Sequence, residues 1–144
     1  MNLSKKIVWL TLILSASLYS FAALAQTAII VHPSNSNSNL STNVIKKIFL
    51  AKKDTFPNGA KATPVDQPES SGIRPEFYQA VANKSEAQMK SYWSRMIFSG
   101  KGVPPDVLDD DAAVKNWVSA NKGGIGYIDN SQVDATVKVI LLIP

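Results

Sequence analysis

Lys61-Ala62-Thr63-Pro64-Val65 leads, by way of Asp66-Gln67-Pro68, into Glu69-Ser70-Ser71-Gly72-Ile73-Arg74-Pro75-Glu76-Phe77. The first run predicts a short strand, the small residues a loop, and the last a helix start. Pro75 fits the first turn of that helix, where a missing N–H costs little, provided the cap is Gly72 or later. Phe77, Tyr78 and Val81 then share its inward face. Backbone N–H groups at a helix start point outward and favour an anion. Arg74 adds a permanent positive charge there, and a guanidinium suits planar or tetrahedral oxyanions. A plain capped helix has the same local grammar, so the rest of the chain must decide between a site and a simple turn.

Upstream, Lys5 and Lys6 precede an apolar run from Ile7 to Leu18, followed by Ala23-Leu24-Ala25. This is the pattern of a cleaved secretory signal peptide over residues 1–25, with residues 26–144 as one domain. The apolar run is short for a spanning helix, which weighs against the alternative of an uncleaved anchor and predicts no membrane span after cleavage. The chain contains no cysteine. Disulfides and lipid attachment at a mature N-terminal cysteine are therefore excluded, although export would permit both. Of the formal net charge of +4, Lys5 and Lys6 leave with the signal. The remaining lysines are scattered, with Lys46-Lys47 and Lys52-Lys53 as doublets. That is a solvated surface rather than a nucleic-acid stripe.

Thr27 to His32 is a β-branched apolar run and predicts a buried strand. The Ser/Asn tract Pro33 to Asn39 is a loop: either a linker or a polar rim at a strand end, where ligands sit in open α/β sheets. Ser41 can cap a helix that buries Val44, Ile45, Ile48 and Phe49. Phe56-Pro57-Asn58-Gly59 is a tight turn. Ser85 and Gln88 have capping-box spacing ahead of the stripe Met89, Tyr92, Trp93, Met96 and Ile97, read as core. Gly100 to Pro105 is a loop. Asp109-Asp110-Asp111 opens a helix burying Val114, Trp117 and Val118, and Lys122-Gly123-Gly124 closes it. Ile125–Ile128 and Thr136–Ile143 are the last strands. Alternating strands and helices define an α/β fold with crossover connections.

In order and spacing, several of these pieces resemble the periplasmic phosphate-binding proteins of ABC importers. They are Ile48-Phe49-Leu50-Ala51-Lys52, the Phe56–Gly59 turn, Ser71-Gly72 with Phe77, and Tyr92-Trp93 with Phe98-Ser99-Gly100. Pro104-Pro105 and Gly123-Gly124-Ile125-Gly126-Tyr127 complete the set. The resemblance runs from about Ile30 to Ile128 and implies one lobe of a type 2 periplasmic-binding fold, a mixed sheet flanked by helices. It also implies phosphate or a related oxyanion as ligand and service to phosphate ABC transport. In the larger relatives a Ser-Gly-Thr loop at a helix N-terminus holds phosphate, with an arginine four residues before the serine. Here Ser71-Gly72 match, Ile73 stands at the threonine position and Gln67 at the arginine position. The implied ligand-binding set is Gln67, Ser70, Ser71, Gly72, Ile73 and Arg74, with Arg74 replacing the missing charge.

Two functions follow as expectations. One is an exported solute-binding-like protein for phosphate or another oxyanion. The other is an envelope module that keeps the fold and recognises a protein instead, favoured by the Gln67 and Ile73 substitutions. Catalysis is not expected, because His32 is the lone histidine and no nucleophile or Ser-His-Asp grouping is present. No cofactor is implied. The Asp109–Asp111 triplet is read as helix-start acid rather than a metal site, since no histidine or second acid cluster joins it.

Overall fold

In the computed structural model, which describes residues 25–144, the first strand β1 (Thr27–Val31) sets the layering. Its side chains alternate between two cores. Ile29 and Val31 join Ile45, Ile48, Phe49, Phe77, Tyr78 and Trp93 in one, while Ala28 and Ile30 join Val114 and Val118 in the other. Helices α1 (Thr42–Phe49), α2 (Ile73–Ala82) and α3 (Glu86–Phe98) thus share one face of the sheet, and α4 (Asp111–Ala120) covers the opposite face. The remaining strands are β2 (Thr63–Asp66), β3 (Asp106–Val107), β4 (Gly124–Asp129) and β5 (Lys138–Ile143). They pair in the order β3-β2-β4-β1-β5. β1 is antiparallel to β4 and β5, whereas β2 is parallel to β4 and β3. The fold is the expected α/β class, a mixed sheet flanked by helices. The expected signal peptide lies outside the described residues except for Ala25. Among the described residues no helix is long and apolar enough to cross a membrane.

Capping follows the local chemistry. Ser41 accepts from Val44 N, Ser85 and Gln88 form the full capping box, and Asp110 accepts from Ala113 N. Two expectations change and one element is new. Ile97, read as core, is 55% exposed in the last turn of α3, next to Phe98 at 96%, and lies outside the core that Met89 and Trp93 join. Trp117 is half-buried against its core rather than inside it. The segment after Pro105 adds the edge strand β3, which at two residues is too short to carry a periodic signal.

The closeness of α4 to β4 has a plain cause. Gly124 and Gly126 both face α4. A Cβ at Gly126 would lie 2.6 Å from Val114 Cγ1, and one at Gly124 would lie 2.9 Å from Trp117 Cζ3. Gly126→Ala is therefore expected to cost about 1–3 kcal/mol by overpacking. Urea denaturation measures it, and an unchanged midpoint would mean that α4 stands further from the sheet.

Candidate ligand-binding site

β2 ends on a buried carboxylate. Asp66 is 2% exposed and accepts from Tyr78 Oη at 2.6 Å, Gln67 N at 2.8 Å, Arg74 Nη2 at 3.4 Å and the Tyr127 hydroxyl. Tyr127 is stacked on Phe77 with ring centroids 3.9 Å apart, so the aromatic core fixes where its hydroxyl points. Burial, then the neighbouring Asp66 charge, pushes both tyrosine hydroxyls well above their ordinary range. They remain donors throughout the physiological range. For Arg74, burial opposes the charge, but Asp66, Tyr78 and Glu86 outweigh it and raise its pKa. This cluster ties the end of β2 to the first turn of α2.

The next residue turns the other way. Gln67 Nε2 donates to Asp111 Oδ1 at 2.7 Å and to the Tyr127 carbonyl at 2.9 Å, and Gln67 Oε1 accepts from Ser71 Oγ at 2.9 Å. Asp111 Oδ2 accepts from Asp129 N at 3.1 Å. One amide therefore joins the starts of α2 and α4 to the ends of β2 and β4. Around it lies a hollow of about 520 Å³. Gln67, Ser70, Ser71, Gly72 and Ile73 form one wall; Asp109, Asp110, Asp111, Ala112, Asp129 and Gln132 form the other.

Gly72, the N-cap of α2, has no side chain to cap it, and Ser71 spends its hydroxyl on Gln67 instead. The first-turn amides of α2 thus lack the side-chain acceptor that α1, α3 and α4 possess.

The sequence-predicted residues Gln67 and Ser70 to Ile73 are brought together at this hollow, whereas Arg74 is not. Its guanidinium lies between Asp66 and Glu86 and over the Tyr78 ring, and it lines a neighbouring hollow. The reason is helical geometry: one residue further along α2 rotates the side chain by about 100°, away from the cradle and toward α3.

Sequence reasoning missed the acidic wall. Asp109–Asp111 read as helix-start acids, and Asp110 does cap α4. Their second position, across from another helix start, follows only from the β2–β4 pairing. Asp129, whose pKa is lowered by hydrogen bonds from Ser131, gave no signal at all. Among the described residues no lysine or arginine lines this hollow, and no group of three or more His, Cys, Asp or Glu is placed to hold a metal ion.

No family model matches the chain, and no curated protein sequence matches it. Solved structures do, and they place it among periplasmic-binding-protein folds. Within that class the neighbours are phosphate-transport proteins. A protein assigned as a phosphate ABC transporter substrate-binding protein from Clostridium perfringens, solved with bound phosphate, superposes with a TM-score of 0.64 at 26% identity. That match covers 81% of this chain and 45% of the other. An ABC-type phosphate transport receptor from Vibrio cholerae gives a TM-score of 0.63 at 22% identity, covering 81% and 46%. PstS from Borrelia burgdorferi gives 0.59 at 16%, covering 81% and 47%. The chain is a fold relative of the phosphate substrate-binding proteins and spans less than half their length. At 22% and 16% identity, the last two matches speak for the fold alone.

Proposed function

We propose that the protein is an exported solute-binding module, residues 26–144 released from a signal peptide at residues 1–25, that takes phosphate or a related oxyanion at the start of α2. The observation that carries this reading is the uncapped first turn behind Ser70-Ser71-Gly72, opening on a hollow large enough for a small ligand. The fold relative solved with phosphate supports the ligand class.

The opposite wall sets the form of the ligand. Asp109, Asp110, Asp111 and Asp129 repel a dianion, whereas a singly charged, protonated oxyanion can offer its O–H to them and its other oxygens to the α2 amides. The sign with pH follows. Lowering the pH through the second ionisation of phosphate raises the monoanion fraction, so apparent affinity should rise. Calorimetry with phosphate at two pH values tests this, and affinity that falls on acidification would contradict it.

Gln67→Arg should tighten binding at least about tenfold, since a charge-assisted hydrogen bond contributes roughly 1.5–3 kcal/mol. The substitution also frees the Ser71 hydroxyl. A second reading, an envelope interaction module that keeps the fold, is favoured by one observation: Gln67, Ser71 and Arg74 all have internal partners. No phosphate binding by the parent and a gain only in Gln67→Arg would select it.

A further inference from the structure

We propose that the tip formed by the last turn of α3 and the loop to β3 docks on an anionic lipid surface, with Phe98 as its inserted wedge. The tip gathers the exposed large apolar side chains. Of the five among the described residues, Ile97, Phe98, Val103 and Val107 fall between positions 97 and 107, and Leu142 alone lies elsewhere. Phe98 is 96% and Val103 71% exposed. Scattered exposed apolar residues are ordinary, but a cluster that includes a bare aromatic ring marks a contact surface.

Local geometry fixes these side chains on one tip. Gly100 adopts a left-handed conformation at φ 67° where α3 ends. Gly100 N donates to the Ile97 carbonyl and Lys101 N to the Met96 carbonyl, so the chain turns back sharply. A Cβ at Gly102 would lie 3.1 Å from Met96 Cε and 3.2 Å from Ala51 Cβ, which shows the loop packed against α3 and the end of α1. Ile97 and Val107 then border one hollow and Val103 the next, with Pro104 and Pro105 bordering both.

Charge and shape select the occupant. Arg95 and Lys101 flank Met96 at the end of α3, Lys53 borders the same hollow as Val103, and Lys52 precedes it in the chain. All four are exposed, and among the described residues none is in an ion pair. Lys90, beside Ile97, is answered by Glu69. The unpaired acids at this tip are Asp54 and Asp106, so the rim is net positive. Lysine and arginine stems can lie along an inserted ring while their charges reach anionic headgroups. A strand-adding protein suits the tip poorly, because β3 has two residues and follows two prolines that offer no N–H. Fluid acyl chains, by contrast, accept a protruding ring without a matching cavity.

Co-sedimentation of the exported chain with vesicles tests the proposal, using phosphatidylcholine alone and an equal mixture with phosphatidylglycerol. The expected result is saturable binding to the mixed vesicles, at least about tenfold weaker on phosphatidylcholine and weakened by added salt. Phe98→Ser should reduce binding at least about tenfold with an unchanged unfolding midpoint, since the ring touches almost nothing in the free protein. Lys101→Gln should reduce it about fivefold, the factor for one cation near an anionic surface. Phe98→Trp should bind as the parent does and gain fluorescence that brominated acyl chains quench, beyond any quenching of the parent. No binding to the mixed vesicles would overturn the proposal, as would binding that Phe98→Ser leaves unchanged or an added indole that bromolipid does not quench. Self-association without lipid, abolished by Phe98→Ser in a chain that ignores vesicles, would assign the tip to a protein contact instead and overturn it too. Phosphate binding should be the same in Phe98→Ser and parent, so failure here is distinct from failure of the oxyanion hollow.

Discussion

Asp66→Ala should destabilise the protein by about 3–5 kcal/mol, the range for removing one member of a buried ionic cluster. The loss has several parts acting together. Arg74 would keep only Glu86 as a counter-charge, and the Tyr78 and Tyr127 hydroxyls would lose their shared acceptor. The Gln67 backbone N–H would be left with the Tyr127 hydroxyl alone, at 3.3 Å. With total stability of about 5–15 kcal/mol for an ordinary domain, this is a large share. Asp66→Asn should cost less, because the amide oxygen can still accept from one tyrosine. Guanidinium denaturation of the two variants checks the order. Equal and small effects would show that the hub is solvated rather than buried.

Phe77→Ala should cost a similar amount, about 3–5 kcal/mol, by a different route. Phe77 is fully buried, stacked on Tyr127 and edge-on to Phe49 at 4.7 Å. Its removal opens a cavity between α1, α2 and β4. It also frees Tyr127 to move, so the aim of the Tyr127 hydroxyl at Asp66 should loosen. The effects of Phe77→Ala and Asp66→Ala are therefore expected to be less than additive. A double-mutant cycle by thermal or chemical unfolding measures this, and strict additivity would mean that the ring does not position the hydroxyl.

Much of the fold was legible because it rests on local periodicity. The alternation along Thr27–Val31, the Ser41 cap, the Ser85–Gln88 box and the inward face Phe77, Tyr78 and Val81 are set by residues a few positions apart. Gly124 and Gly126 of the Gly123–Tyr127 motif likewise have a physical reason, the close approach of α4. What was not legible depends on long-range placement. The strand β3 exists because it pairs with β2, and Ile97, on the expected inward stripe of α3, lies outside the core. The same holds at the site. Ser70 to Ile73 announce themselves as a helix start, but the acidic wall opposite is created by bringing residue 111 against residue 67. Arg74 shows the limit from the other side. Its charge was plain in the sequence, and its direction was set by Asp66 and by Glu86 of α3.

The central claim, that an oxyanion is held by the first turn of α2, is tested most directly by following backbone amide signals during a phosphate titration. The account predicts saturable shifts of the Gly72 and Ile73 amides, larger at the lower pH, with the Asn83 amide at the far end of α2 unmoved. Shifts confined to other residues, or none at any phosphate concentration that binds in calorimetry, would contradict it.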